Sequence, residues 1–367
     1  MITILPSKVK LLHFPRSHLP HVTHAIVKSC FFQDTKDPRY FFSFTENAYE
    51  ISIVASKEVI DNDFIPCLIM SQCEDLRSSN DIFRVLQVDD EGGQGNKKLP
   101  ESNQFVPADP FKHIYQLDTS GKRISDLSGP LASGKFSIFY MSTYQTDFVL
   151  IKERRLRQAV QLLQQHEFEF DEDSINQYLG GSPPLSGQMM LKSIERDAST
   201  LIEEDFEKSV LSDELQCVGL NPHYRSDWAM TVLKILSYPD LISTDYRHDD
   251  TRFLSYTASS DGISLLANQA ILDLFEPDAV FRDEGSQTYR VIQVNLAGSN
   301  LDRCGIVYSI SHPLAAEADI NLLYLSTFTS ANVLVPSDDL VRAEEILADD
   351  LENIKSMLAE IVLEPTL

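Results

Sequence analysis

Apolar and polar residues alternate in short runs along this chain, and four stretches share one layout. They are FFSFTENAYEISIVASKEVI (41–60), FYMSTYQTDFVLIKERRL (139–156), FLSYTASSDGISLLANQAIL (253–272) and LYLSTFTSANVLVPSDDL (323–340). Each opens on an apolar run, reaches a Ser (Ser43, Ser142, Ser255, Ser326), crosses a few polar residues, resumes as a second apolar run and closes on a helix-like start. Alternating runs joined by a short polar turn predict a β-hairpin, here followed by a helix. A second repeat lies upstream of two of these hairpins. Phe83-Arg84-Val85-Leu86-Gln87-Val88 matches Tyr289-Arg290-Val291-Ile292-Gln293-Val294, and each is followed by a helix-sized segment ending in Pro-Leu-Ala (130–132 and 313–315).

Strand, helix, strand, strand, helix is most of a ferredoxin-like βαββαβ unit. The expected fold is therefore α/β (α+β): four ferredoxin-like units with antiparallel sheets, packed as pseudo-symmetric pairs. The units are read at 1–78, 79–166, 215–282 and 283–367. The second carries a Gly-, Asn- and Pro-rich loop insert at 89–110, and 167–214 is read as an acidic linker or partly helical arm with GGSPP at 180–184. One residue more separates Pro313 from Ser326 than Pro130 from Ser142, which predicts a shifted loop in the fourth unit. Leu340, Leu347, Leu351, Ile354, Leu358 and Ile361 fall at helical spacing after Ser337-Asp338-Asp339, a good helix start.

Charge narrows the function classes. The 367 residues hold 31 Lys or Arg against 55 Asp or Glu, a formal net charge of −24. Such a surface repels phosphate backbones and anionic lipid, so neither nucleic acid nor membrane is an expected partner. The acidity is uneven: residues 167–215 carry −10 and residues 336–367 carry −7. No run approaches the roughly 20 apolar residues of a membrane span, and the N-terminus does not read as a signal peptide. Five scattered cysteines (Cys30, Cys67, Cys73, Cys217, Cys304) with no CxxC pair read as reduced core thiols of a cytosolic protein.

Candidate chemistry is sparse. His18, His21 and His24 are spaced for a helical metal site, but Pro20 interrupts them and surface or capping roles are expected. Gly92-Gly93-Gln94-Gly95 before Lys97-Lys98 fits no phosphate loop. The acids near 171–173 form a solvated run rather than an acid and base pair. No enzyme, metal site or cofactor is expected. Cys304-Gly305-Ile306-Val307 leaves two readings open: Gly305 lets backbone amides approach a small carboxylate, or it merely makes the strand-to-helix turn.

Over most of the chain these motifs resemble the CASTOR family of cytosolic arginine sensors, which carry four ACT domains. The resemblance rests on HVTHAIVKSCFF (21–32), YFFSFTEN (40–47), STYQTDFVLIKE (142–153) and RCGIVYSISHPLAAEADINLLYLSTF (303–328). It implies four ACT-type units, no catalysis, a homodimer, an amino-acid-like ligand between the second and fourth units, and action on TOR signalling through a GATOR-type complex. By position, the implied ligand site uses Ser137 and Ile138 from the second unit. From the fourth it uses Asn300, Arg303, Cys304, Gly305, Ile306 and Val307, with Thr327, Phe328 and Thr329 closing it. Two positions depart from the arginine-binding pattern: Arg303 stands where a Glu is found, and Ala331 where an Asp is found. A guanidinium needs placed carboxylates, so arginine is not the expected ligand. A ligand-free scaffold, or a regulatory subunit of an amino-acid biosynthetic enzyme, are the alternative expectations.

Overall fold

A computed structural model describes residues 1–89, 120–180, 207–243, 252–282, 287–296 and 300–348. The expected insert beyond Asp89, its Gly-rich run, GGSPP past Gly180, and Leu351, Ile354, Leu358 and Ile361 lie outside the described residues. In the first quarter of the chain, β1 (Ile2–Phe14), α1 (Leu19–Phe31), β2 (Phe41–Glu46), β3 (Ile51–Ser56), α2 (Ile65–Met70) and β4 (Arg77–Ser78) give βαββαβ order. Next come β5 (Phe83–Val88), α3 (Ser120–Ser133), β6 (Ile138–Ser142), β7 (Asp147–Lys152) and α4 (Leu156–Gln165). After α5 (Glu172–Leu179) and β8 (Glu207–Val210), the order recurs as β9 (Leu215–Leu220), α6 (Arg225–Ser237), β10 (Leu254–Ser259), β11 (Ile263–Asn268), α7 (Gln269–Leu272) and β12 (Val280–Phe281). The last unit runs β13 (Tyr289–Asn295), α8 (Ile306–His312), β14 (Leu323–Ser326) and β15 (Ser330–Pro336), then helical residues 340–348.

All strand pairs within the sheet are antiparallel, and the order is β12-β9-β11-β10-β2-β3-β1-β5-β7-β6-β14-β15-β13-β8. A further pairing of Tyr289 with Leu215 joins β13 back to β9. The helices lie outside. One apolar cluster packs α1 and α6 against the β2 and β10 side, and a second packs α3, α4 and α8 against the β6 and β14 side. The third, with Phe83, Phe139, Phe148, Val291, Leu325 and Leu334, fills the space between the two sides of the sheet. This is what strands with buried residues on both faces require.

Two seams join the halves, and each is reciprocal. Where β2 meets β10, Ser43 Oγ lies 2.9 Å from Thr257 Oγ1 and Thr45 Oγ1 lies 2.9 Å from Ser255 Oγ. Where β6 meets β14, Tyr140 N–H donates to Ser326 Oγ (3.0 Å) and Tyr324 N–H to Ser142 Oγ (3.1 Å). The serines therefore do not share one position, as the sequence layout suggested. Counted from the hairpin, Ser142 and Ser326 pair across it with Asp147 and Ala331. The corresponding residues in the other two hairpins are Glu46 and Ala258, three positions after Ser43 and Ser255. The turns themselves do coincide. All four are closed by one bond of the same kind: Asn47 N–H to Glu50 O, Thr143 to Thr146, Ser259 to Gly262 and Thr327 to Ser330, at 2.9 to 3.1 Å.

Three further expectations need correction. The stretch read as a linker or partly helical arm does hold a helix, α5, capped by Asp171, whose side chain accepts from Ser174 N–H, but it also holds a strand, β8, which pairs Val210 with Ile292 at the sheet edge. The extra residue after Pro313 shifts no strand: it is absorbed in a π turn over Pro313–Glu317, an i+5 insertion. Pro20 does not interrupt a helix but sits in the first turn of α1, where its missing N–H has no partner to lose. Pro6 is likewise tolerated within β1 because the pairing with β5 shifts between Ile4 and Lys8.

Candidate functional site

The sequence-derived set is brought together where the start of β6 meets the turn between β13 and α8. Ser137 Oγ donates to the Leu301 carbonyl at 2.7 Å and lies 3.4 Å from the Asn300 carbonyl. Asn300 is held by Thr327 and Phe328: its N–H donates to Phe328 O (2.8 Å) and its Nδ2 to Thr327 O (3.4 Å). Leu296 N–H donates to Thr329 O at 3.0 Å. The carbonyls of the 327–329 turn thus fasten both ends of the 296–300 segment. Asn300 Oδ1, in a residue 1% exposed, has no hydrogen-bond partner among the described residues. A buried amide oxygen left bare costs on the order of 1–3 kcal/mol, so it marks a place where a donor is wanted.

The rest of the set forms the apolar floor. Ile138, Ile306 and Val307 are buried in the cluster beneath α3 and α8, and Cys304 is buried beside them. Gly305 has φ +80° and ψ −7°, so the turn reading is the one its backbone supports. A β-carbon there would meet only Ala132 Cβ, at 3.8 Å. Gly305→Ala should therefore lose stability through backbone strain alone, about 1 kcal/mol, with the α8 fold intact by circular dichroism. A loss above about 3 kcal/mol would show that the space is tighter than this geometry.

Arg303 turns back on its own loop, its guanidinium donating to the Leu296 carbonyl. Ala331 is fully buried, opposite Val294 and Ser326. The second unit shows what Ala331 replaces. There Asp147 holds the same hairpin position and accepts from Arg123 Nε (2.7 Å) and the Tyr140 hydroxyl (2.9 Å). Burial works most strongly against the Arg123 charge, but Asp147 and Tyr140 together outweigh it and raise the guanidinium pKa. Burial first, and then the Asp147 charge, push Tyr140 well above the usual phenol range. Arg123 stands seven residues before Pro130; seven before Pro313 stands Ile306. The fourth unit thus lacks acid and base together at these positions but keeps the tyrosine, and the Tyr324 hydroxyl is buried without a partner among the described residues.

Sequence reasoning missed the residues that hold the 327–329 turn from the other side. Thr329 N–H and Oγ1 both donate to Glu50 Oε1 at 2.8 Å, and Phe328 N–H donates to Ser52 Oγ at 3.3 Å. His13 Nδ1 lies 2.6 Å from Glu50 Oε2. No local signal marks them, since they come from the opposite end of the chain. The remaining candidates are placed elsewhere. His18 Nδ1 lies 3.0 Å from Ser71 Oγ, and its ring is 5.9 Å from that of His21. Burial pushes the Cys217 thiol up to about 12 and raises Cys30 further, so both stay protonated. A cleft of about 480 Å³ opens on the first unit, but its basic rim is already committed, Lys8 to Glu153 and Arg39 to Asp37.

An ACT domain family model matches residues 113–165 and 284–349, the second and fourth units that carry this site. The chain is also 24% identical over 359 residues to the cytosolic arginine sensor for mTORC1 subunit 1 of Homo sapiens, covering 96% of this chain and 99% of the relative. Over nearly its whole length the chain is thus similar to a cytosolic arginine sensor, and over two segments to the ACT domain. The Mus musculus counterpart is 26% identical over 304 residues, 77% of this chain and 87% of its own. Among solved structures, aspartate kinase from Synechocystis overlaps all of this chain and 56% of its own at 10% identity, with a TM-score of 0.33, too loose an overlap to carry an argument. No helix among the described residues is long and apolar enough to cross a membrane.

Proposed function

We propose that this chain belongs to the CASTOR family and is a non-enzymatic cytosolic sensor of an amino-acid-like molecule, built from four ACT units packed as pseudo-symmetric pairs. The ligand sits between the second and fourth units, at Ser137, Asn300 and the 327–329 turn. The single observation that carries the reading is the bare Asn300 Oδ1 at that seam: an acceptor, buried among fixed hydrogen bonds, that an ammonium or amide group would satisfy. The ligand is neutral or acidic rather than arginine. The named set contributes no carboxylate, Arg303 adds a positive charge, and Ala331 is packed inside the sheet. Ligand binding shifts the balance between two states only by preferring one, and the output is a changed association with a GATOR-type regulatory complex, the chain acting as a homodimer in TOR signalling.

Thermal unfolding against the twenty amino acids tests this. A ligand at one hundred times its Kd stabilises by about 2.7 kcal/mol, a shift of several degrees. The expected result is stabilisation by a neutral or acidic amino acid and its loss in Asn300→Ala. Stabilisation by arginine alone would overturn the ligand assignment, and no shift at millimolar concentration would overturn the sensor reading. One observation favours a second reading: the Arg303 guanidinium already occupies the Leu296 carbonyl. On that reading the loop is permanently closed and the chain is a scaffold.

A further inference from the structure

The 327–330 turn has two sides. Its carbonyls face the candidate site: Thr327 O and Phe328 O hold Asn300, and Thr329 O holds Leu296. Its donors face the first unit. Phe328 N–H goes to Ser52, while Thr329 N–H and O–H converge on one oxygen of Glu50. The Glu50 side chain is fully buried, its second oxygen lies against His13 Nδ1, and the His13 ring centroid is 5.7 Å from that of Phe328. Beside it, Asn47 Nδ2 donates to Ser330 Oγ at 2.9 Å. A buried carboxylate is stable only with partners, and here two of its partners belong to the turn that closes the candidate site.

The other end of the molecule is a natural comparison. The 143–146 turn meets the third unit as 327–330 meets the first, and Tyr144 N–H donates to Ser264 Oγ (3.0 Å) as Phe328 N–H does to Ser52. Strand register sets Gly219 opposite Ser264, as His13 is set opposite Ser52. Gly262 precedes Ile263 as Glu50 precedes Ile51. So where the first unit has His13 and Glu50, the third has two glycines. They are needed there: a β-carbon on Gly219 would lie 2.8 Å from the Tyr144 ring, and one on Gly262 would lie 2.6 Å from Gln145 Oε1. One end seats bulky turn residues against glycines; the other seats a small Thr329 against a carboxylate. The acid is therefore not part of the shared scaffold. It occurs only at the end that bears the candidate site.

We propose that Glu50, steadied by His13, is a positioning residue for the ligand site: through Thr329 it sets the turn that holds Leu296 and Asn300. This rests on the site assignment above, and it makes the first unit the element through which occupancy of the site is coupled to the rest of the molecule. Charge-assisted bonds of this kind are worth more than neutral ones, so their loss should loosen the turn locally.

Amide hydrogen exchange on the full chain, without ligand, tests it separately from the sensor reading. In Glu50→Ala the Leu296 and Asn300 amides should exchange about tenfold faster, while the 143–146 turn stays within about twofold of the unmodified chain. Glu50→Gln keeps an acceptor for Thr329 and should recover most of the protection. If Glu50→Ala does not fold, Thr329→Val, which removes only the hydroxyl donor, carries the test with a smaller rise at the same two amides. Unchanged exchange at Leu296 and Asn300 would overturn the proposal. So would uniform acceleration at all four turns, which marks a purely structural carboxylate. Equal loss in the Gln and Ala variants would assign the effect to a missing core charge and overturn it too.

Discussion

Asp147→Ala should destabilise the protein by about 3–5 kcal/mol, the range for removing one partner of a buried ion pair. Asp147 is 1% exposed and is the shared acceptor for Arg123 and Tyr140. Its removal takes from a buried guanidinium and a phenol the carboxylate they share. The fourth unit states the remedy. There both charges are absent, as Ala331 and Ile306, and the unit still packs a continuous apolar cluster. The double variant Asp147→Ala, Arg123→Ile should therefore be much milder than either single change, costing little beyond the bare Tyr140 hydroxyl. Urea unfolding of the four-member cycle measures the coupling. A double variant as unstable as the sum of the singles would show that the two units are not packed alike.

The reverse change is the second large effect. Ala331→Asp would bury a carboxylate where, among the described residues, no cation takes the place of Arg123, and should cost roughly 3 kcal/mol at neutral pH. An unpaired buried carboxyl has a raised pKa, so this penalty is smallest when pH falls below the usual carboxylate range and grows as pH rises through it. Adding Ile306→Arg should recover most of the loss by rebuilding the triad of the second unit. Millimolar arginine should stabilise Ala331→Asp more than the unmodified chain, since a free guanidinium can take the place that Arg123 holds next to Asp147. If Ala331→Asp is neutral at pH 7 and indifferent to arginine, the position is open to water, and the comparison between the two units fails.

The fold was largely legible because its signals are local. Alternation over five or six residues, a turn of four and a following helix recur within each unit, and each can be read without knowing what lies beside it. What failed has equally specific causes. Ser43 and Ser255 look like Ser142 and Ser326 because composition repeats, yet only hairpin closure counts register, and it separates them by three positions. The strand Glu207–Val210 was taken for linker because four partly polar residues carry no alternation of their own; they become a strand only by pairing with Ile292 to Asn295. Pro20 looked like an interruption because a proline breaks a helix interior, and only the observed start at Leu19 puts it in the first turn. Of the site, the residues on the fourth unit's loop and hairpin were named through the family resemblance, and the structure brings Ser137, Asn300 and the 327–329 turn together.

By itself the sequence determined the elements and their repeating order, since hydrophobic period and turn chemistry act over a handful of residues. The tertiary structure alone decided which of their side chains meet. Thr329 and Glu50 are 279 positions apart, and no local pattern foretells that one carboxylate oxygen will take both of the threonine's donors. Whether a buried polar group is satisfied, like Asp147, or bare, like Asn300 Oδ1 and the Tyr324 hydroxyl, depends on which distant chain segments pack against it. That is a property of the assembled sheet and not of any stretch within it.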